Sequence, residues 1–352
     1  MNIDINTDVW SFLKNTKLPI IIYGMGNGAD KIINELKKLN IKIYGIIASD
    51  DFVRGQSFHG FIVKKLSDIE KEIDNFIIIT AFGTSRKDVI HNITEISKKH
   101  TILSIDVPVY GNNIFNMSFY EANYNKIEEA YELMADEKSK KVFINEICFK
   151  LSGKINYLFD SFSDKDEAFK NIISLKKDES YLDLGAYRGD TIQEFLLYSG
   201  GKYNDIIALE PDKKTFMKLK NYAGSMPSVQ LFQMGIWSDD CDIIFNSSLG
   251  RGSSINDCGK QKLAVTKVDT LYRVRKLTYL KMDVEGAEYM AIKGAEHTLK
   301  RDCPKLNIAA YHRSEDIFDL PLLIKKINPN YKIYLRQHPH IPAWDMNIYA
   351  VP

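Results

Sequence analysis

The chain has 352 residues, 45% hydrophobic and 26% charged, which is ordinary for a soluble globular protein and long enough for two separate cores. Its 47 basic and 46 acidic residues leave a formal charge of +1, so no global field recruits nucleic acid or anionic lipid, and a small-molecule or glycan substrate must be recognised locally. No apolar run approaches the ~20 residues of a membrane span, and Met1–Asn6 is unlike a signal peptide. Cys148, Cys241, Cys258 and Cys303 form neither a close pair nor a metal-ligand spacing. A cytoplasmic protein with reduced thiols, no bound metal and no nucleic-acid partner is expected.

The predicted fold class is α/β, with two Rossmann-like domains (residues 1–110 and 179–352) joined by a helical connector (111–178). In the first domain, Pro19–Tyr23 is a predicted strand and Gly24-Met-Gly26-Asn-Gly28-Ala29 a glycine turn. Asp30–Leu39 is a predicted helix, with Ile32, Ile33, Leu36 and Leu39 at helical spacing. Strands are predicted over 41–48 and 76–81, and a fourth at 102–105; their alternation with helices implies a parallel sheet. Gly24, Gly26 and Gly28, with Asp50 near the next strand end, fit a dinucleotide fingerprint. Residues 43–51 and Gly60-Phe-Ile-Val63 also resemble the N-terminal domains of enzymes that act on nucleotide sugars. Three uses stay open: nucleotide or nucleotide-sugar binding, a scaffold, or NAD chemistry. The last is weakened because residues 18–110 offer no Tyr-x-x-x-Lys or equivalent acid–base pair.

In the connector, Ile127, Tyr131 and Met134 share a helical face, as do Phe143, Ile147 and Leu151, with breaks at Asp136-Glu137 and Ser152-Gly153. The second domain opens on Tyr181-Leu-Asp-Leu-Gly-Ala-Tyr-Arg-Gly-Asp190, a strand ending in an acid, a glycine turn and a helix start. Asp190 and Gln193 suggest a capping box there. About 20 residues on, a second strand ends at Glu210, placed to accept hydrogen bonds from the two hydroxyls of an adenosine ribose. Tyr187 and Arg188 crowd the place of a pyrophosphate, and Asp183 would repel one. An acid-lined turn suits a cationic cofactor without phosphate, so S-adenosylmethionine is expected rather than NAD. Further strands are predicted at 229–233, 278–282, 306–311, 331–335 and 346–351, the last two as an antiparallel hairpin. This layout is that of a methyltransferase sheet rather than of a dehydrogenase, a statement of fold analogy.

A second motif, Tyr279-Leu-Lys-Met-Asp283-Val-Glu285-Gly-Ala-Glu288, crowds Lys281, Asp283, Glu285 and Glu288 at one strand end. In open α/β sheets ligands bind beyond the carboxyl ends of strands, and Asp183, Glu210, Asp283 and His312 each fall there. Asp183–Thr191, Glu210-Pro-Asp212, Val268–Leu271, Lys281–Glu288, Lys293–Ala295 and Tyr311-His312 together resemble the FkbM family of S-adenosylmethionine-dependent methyltransferases, over roughly residues 120–352.

The resemblance implies a cytosolic enzyme that methylates oxygen on sugars or other secondary metabolites, without a redox cofactor. It implies that Asp183, Gly185, Ala186, Gly189, Asp190 and Thr191 hold the methionine part of the cofactor. Glu210 would take the ribose with Asp212 beside it, and Gly235, Ile236 and Trp237 would lie against adenine. Trp237 reads equally well as a core aromatic. Asp283 and His312 would face the acceptor, either one serving as base; histidine suits that task because it titrates near neutrality. Lys281 and Glu285 would bind substrate. Arg251 and Ser253, in the Leu249–Ile255 loop, could line an acceptor groove, or the loop is a plain hairpin connection. His338-Pro-His340 reads as a polar loop rather than a metal site. The rival readings are an oxidoreductase using NAD or a nucleotide sugar in the first domain, and a noncatalytic binding subunit.

Overall fold

The computed structural model describes residues 3–246, 254–255 and 261–352 of the chain. Strands are numbered β1 to β17 in chain order. The N-terminal sheet comprises β1 (Ile20–Tyr23), β2 (Gly45–Ile47), β5 (Ile77–Thr80) and β6 (Thr101–Ser104) in the order β2-β1-β5-β6, all parallel. A two-stranded ribbon of β3 (Ser57–Phe58) and β4 (Phe61–Ile62) lies beside it. Strands β1 and β5 are runs of isoleucine buried on both faces, the pattern a parallel sheet covered by helices demands. The predicted strand over 41–48 shrinks to three residues, Gly45–Ile47. The helix Asn27–Lys38 buries Ala29, Ile32, Ile33 and Leu36 against the sheet, the periodicity legible in the sequence.

The main C-terminal sheet has seven strands in the order β16-β17-β15-β14-β7-β8-β9. These are β7 (Ser180–Leu184), β8 (Asp205–Leu209), β9 (Val229–Phe232), β14 (Tyr279–Met282), β15 (Lys305–Ala309), β16 (Lys332–Gln337) and β17 (Met346–Val351). β9, β8, β7, β14 and β15 are mutually parallel, and β17 inserts antiparallel between β15 and β16. The predicted parallel sheet closed by an antiparallel hairpin is therefore present. The chain reverses from β7-β8-β9 to β14-β15 across the middle, which makes the β7/β14 boundary the switch point. A second small sheet, absent from the sequence reading, joins β10 (Gly235–Ile236), β13 (Gln261–Thr266), β11 (Cys241–Asn246) and β12 (Ser254–Ile255). Arg251 and Ser253 lie outside the described residues. Among the described residues no helix is long and apolar enough to cross a membrane.

Of the connector helices Met117–Glu132 and Glu137–Ser152, the first packs against the helix Asp316–Ile327 and the second against β16. The second begins at the N-cap Asp136, whose carboxylate accepts from Ser139 N, and stops at Gly153 with φ +67°. Both predicted breaks are thus physical caps. Ala135 N donates to Ile333 O at 2.8 Å and Ser163 N to Gln337 O at 2.7 Å. An edge paired in this way is not free to recruit another strand. Arg336 locks the contact: it is 1% exposed and donates to Asp136 Oδ2 at 2.7 Å and Glu167 Oε2 at 2.9 Å.

The N-terminal sheet touches the C-terminal half at its own strand ends. Thr84, just past β5, pairs through both backbone groups with Ile341 in the β16–β17 turn, at 2.8 and 2.9 Å. The segment after β6 runs back over the acid-rich loop: Tyr110 N donates to His312 O at 2.8 Å, and Gly286 packs against the Tyr110 ring. Arg313 lies over that ring and donates to Gly286 O at 2.8 Å.

Arg336→Ala should leave Asp136 and Glu167 without their partner, and Asp136 is also a helix cap. Because both carboxylates keep some solvent, we expect a loss on the order of 2–3 kcal/mol rather than the full cost of a wholly buried pair. Denaturant unfolding of the variant, read by circular dichroism, measures it.

Candidate active site

At the β7/β14 switch point the chain makes a cavity of about 420 Å³. Its base is the turn after β7. Gly185 stands at φ +81°, and a Cβ there would lie 1.9 Å from the carbonyl oxygen of Asp283. Only glycine lets the ends of β7 and β14 meet this closely. Gly185 N and Ala186 N both donate to Leu209 O at 3.0 Å, which ties the turn to the end of β8 as well. Three strand ends are thereby drawn to one point.

Glu210 follows β8 directly. Its carboxylate accepts from Tyr187 N at 3.0 Å and Asp212 N at 2.9 Å, and it lines the cavity. Burial pushes it up to about 7, against the pull of these two N–H groups. Asp212 caps the helix Lys213–Ala223 by accepting from Thr215 N at 2.8 Å, and also faces the cavity. Gly185, Asp190, Thr191, Gly235 and Ile236 line it too. Asp183 sits beneath the turn, fully buried, with Oδ2 accepting from Thr191 Oγ1 and Oδ1 without a partner. Burial raises it to about 7. Ala186 is buried and Gly189 packs against Tyr222, so these two shape the turn from behind.

Two local expectations are corrected. The helix Asp190–Ser199 has Gly189 as its N-cap and no side-chain cap, so Asp190 and Gln193 form no capping box. A glycine with positive φ supplies the entry angle, and the Asp190 side chain is left to the cavity. Trp237 does not line the cavity but packs with Leu263 and Val265 of the small sheet. Its register puts the backbone, not the indole, near the site: Trp237 N donates to Thr266 O at 2.9 Å.

The opposite wall is the loop after β14. Asp283 keeps about a third of its side chain exposed (34%) toward the cavity. The Tyr311 hydroxyl donates to it at 3.2 and 3.3 Å, and Lys281 Nζ lies 3.7 Å from Oδ2. Burial alone would raise its pKa, but Lys281, His312 and the Tyr311 hydroxyl outweigh that and hold it below the usual carboxylate range. Glu285 also faces the cavity, and burial pushes it up to about 8. Lys281 and Glu285 both line the cavity.

His312 does not line the cavity. It is 1% exposed, with Nδ1 2.8 Å from Glu288 Oε1, a close charge contact that lacks the alignment of a good hydrogen bond. Nε2 lies 3.4 Å from Asp283 Oδ1 and 3.6 Å from Glu285 Oε2. Burial would lower its pKa, but Glu288, then Asp283 and Glu285, raise it to about 10. An imidazolium behind Asp283 has no lone pair to take an acceptor's proton. The neighbouring Tyr311 reaches the cavity in its place. The two rings lie side by side, centroids 4.2 Å apart, and both reach Asp283; the sequence does not say which of them also lines the cavity.

The remaining wall comes from distant segments that carry no motif: Ser85 after β5, Lys165 in the connector, Asn307 on β15, and His340, Trp344 and Asp345 in the β16–β17 turn. Lys165 Nζ stands 3.2 Å from Glu194 and 3.6 Å from Asp345. His338 is structural, bonded to Ser163 O at 2.9 Å and the Tyr349 hydroxyl at 2.7 Å. In the N-terminal domain, a Cβ at Gly24 would strike Phe82 and one at Gly28 the Ala81 carbonyl, so packing already uses both glycines. Gly26 opens the helix as its N-cap, and Asp50 is exposed, 3.5 Å from Lys65.

The FkbM methyltransferase domain model matches residues 183–344, and the N-terminal model described as C2185-like matches residues 16–103. Among solved structures, a methyltransferase FkbM from Methylobacillus flagellatus KT aligns over 95% of this chain and 90% of its own, with TM-score 0.74 and 19% identity. Aeropyrum pernix fibrillarin, solved with natively bound S-adenosyl-L-methionine, aligns over 53% of this chain and 71% of its own, with TM-score 0.35 and 12% identity. No curated protein matches by sequence. Fold and site define a class I methyltransferase with an added N-terminal α/β domain. Over residues 183–344 the chain belongs to the FkbM methyltransferase family.

The residues present fit S-adenosylmethionine, the methyl donor of that class. The turn has no room for a side chain at Gly185, buried Asp183 leaves an oxygen unpartnered, and Glu210 offers its carboxylate to the cavity. Gly185→Ala should force β7 from β14 and cost ~2–4 kcal/mol through positive φ and overlap together. A lowered unfolding midpoint measures it.

Proposed function

We propose that the chain methylates a hydroxyl oxygen of a sugar or glycan precursor, with S-adenosylmethionine held over the β7 turn. The observation that carries this reading is the acid-lined crevice itself: Glu210 on one side and Asp283 on the other, across a turn pinned by Gly185. The cofactor, when bound, supplies an electrophilic methyl group on a sulfonium. Glu210 would hold the ribose hydroxyls, with Asp212 beside it. Asp183, Asp190 and Thr191 would hold the methionine end, where carboxylates complement its ammonium.

The protein's remaining tasks are to align the acceptor, exclude water and receive a proton. Asp283 suits the first and the last, because it is held ionised, faces the cavity and is fixed in orientation by Tyr311. His312 would act behind it as a positioning group. Several features favour a sugar. Trp344 and His340 form an aromatic wall, with ring centroids 6.0 Å apart, against which the C–H face of a pyranose can pack. Asn307, Asn347, Ser85 and Lys165 surround it with donors and acceptors suited to hydroxyls. Ser85 makes the N-terminal domain part of this wall, which supports a substrate-positioning role for residues 1–110 rather than NAD chemistry.

Incubating the enzyme with methyl-labelled S-adenosylmethionine and a panel of nucleotide sugars and free glycosides tests the reading by mass spectrometry. An O-methylated sugar is expected, with turnover reduced ~10²-fold or more in Asp283→Asn. Methylation only at nitrogen or carbon would overturn it.

Cofactor binding should carry its own pH signature. Glu210 accepts ribose hydroxyls best when ionised, and its pKa is raised to about 7. Affinity for S-adenosylhomocysteine should therefore strengthen between pH 6 and 8. Glu210→Gln should flatten that rise and weaken binding about tenfold at pH 8, or ~1.4 kcal/mol. Calorimetry at several pH values reads both.

A further inference from the structure

The proposed transfer leaves one buried group of donors without an assignment. Asp283 ends β14, Glu288 opens the next helix and His312 follows β15, and one ligand atom from each lies within 4.8 Å of the others. Bonds of about 2.1 Å around a divalent ion place neighbouring donors about 3–3.5 Å apart. His312 Nε2 and Asp283 Oδ1 already stand at 3.4 Å.

A second observation points to a ligand. Glu288 is 0% exposed, and although Oε1 accepts from Val284 N at 2.8 Å, Oε2 has no partner. A bare carboxylate oxygen in a dry site is costly and needs an explanation. His312 is equally buried, and its Nε2 makes no hydrogen bond among the described residues. The surroundings are rich in carboxyl groups: Glu285 Oε2 lies 3.6 Å from Nε2, and Asp316 adds a further buried acid near Glu288. Lys281, 3.7 Å from Asp283 Oδ2, stands against them, with the more distant fields of Lys165 on Asp283 and Lys31 on Glu285.

We propose that Asp283, Glu288 and His312 form a divalent-cation site beneath the cavity floor, with Asp283 as the ligand that faces the acceptor. Two carboxylates and one imidazole suit Mn²⁺ or Zn²⁺ better than Ca²⁺, which prefers oxygen throughout. A cation there would satisfy the free oxygen of Glu288 and offset the surplus carboxylates. It would also hold the 283–288 loop to the end of β15 with no covalent link. The sequence offered no such site, because its ligands are scattered over three elements instead of lying at a recognisable spacing.

The test needs no acceptor. Full-length protein is stripped of metal with a chelator and titrated with MnCl₂, free Mn²⁺ being followed by its electron paramagnetic resonance signal. Binding of a single Mn²⁺ per chain is expected, weakened at least ~10-fold in Glu288→Gln. The bound ion should show spin-echo modulation from a coordinated imidazole nitrogen, lost in His312→Gln. No binding at millimolar Mn²⁺, or binding unaffected by both substitutions, would overturn the site. It would leave the cluster a histidine–carboxylate ion pair. If circular dichroism shows the variants misfolded, the wild type decides alone: bound Mn²⁺ without nitrogen modulation also overturns the proposal.

Discussion

The contact between Gly185 and the Asp283 carbonyl is the constraint on which the site depends. Parallel strands diverge at a switch point, since the chains leaving β7 and β14 cross over to opposite sides. A crevice there is useful only if its two lips stay close. A glycine at φ +81° lets one lip touch the backbone of the other, and Gly185 N and Ala186 N bind the first lip to β8. Glu210 and Asp283 then face each other across a gap set by main-chain geometry. Backbone geometry relaxes less than side-chain rotamers, which is what a displacement reaction requires of its aligning groups.

The second lip is held from outside the methyltransferase sheet. The stretch after β6 crosses the 283–288 loop, where Tyr110 supports Gly286 and bonds to the His312 carbonyl, and Arg313 closes over both. The N-terminal domain therefore contributes to the site in two ways: as a brace on the acid loop and, through Ser85, as part of the wall. In its own glycine turn a Cβ at Gly24 would meet Phe82 and one at Gly28 the Ala81 carbonyl, while the space about Gly26 is open.

Much of this was legible in the sequence, and the limits have physical causes. Acid-ended strands followed by glycine turns specify local backbone, so Glu210, Asp283 and the turn between Asp183 and Asp190 could be placed from short windows. The β16–β17 hairpin followed from a connection too short for a crossover helix. In the small sheet, β10 and β12 were missed because two-residue strands carry no detectable alternation; β11 and β13, six residues each, were missed although Leu263 and Val265 alternate. Ser85, Lys165 and Trp344 were missed because each reaches the cavity through tertiary contacts across the chain. Tyr311 and His312 both reach Asp283, and only the fold makes the choice that leaves the phenol lining the cavity and the imidazole buried against Glu288.

That choice matters for the chemistry. A histidine lining the cavity would titrate against solvent and could act as a base near neutrality. Placed behind Asp283 and against Glu288, it instead carries charge that the carboxylates stabilise, with a pKa raised to about 10. In the proposed transfer to a hydroxyl the proton-accepting role would pass to Asp283, whose weak basicity would be tolerable because a sulfonium leaves readily and the hydroxyl proton need depart only as the new carbon–oxygen bond forms. Such a carboxylate must be kept ionised in a partly buried cleft, and Lys281, His312 and the Tyr311 hydroxyl supply that field. The acid-rich loop is therefore a differentiated cluster rather than a row of interchangeable acids: Asp283 is ionised and turned to the cavity, Glu285 is raised to about 8 at the rim, and Glu288 is buried against His312, which it holds charged when no metal is bound.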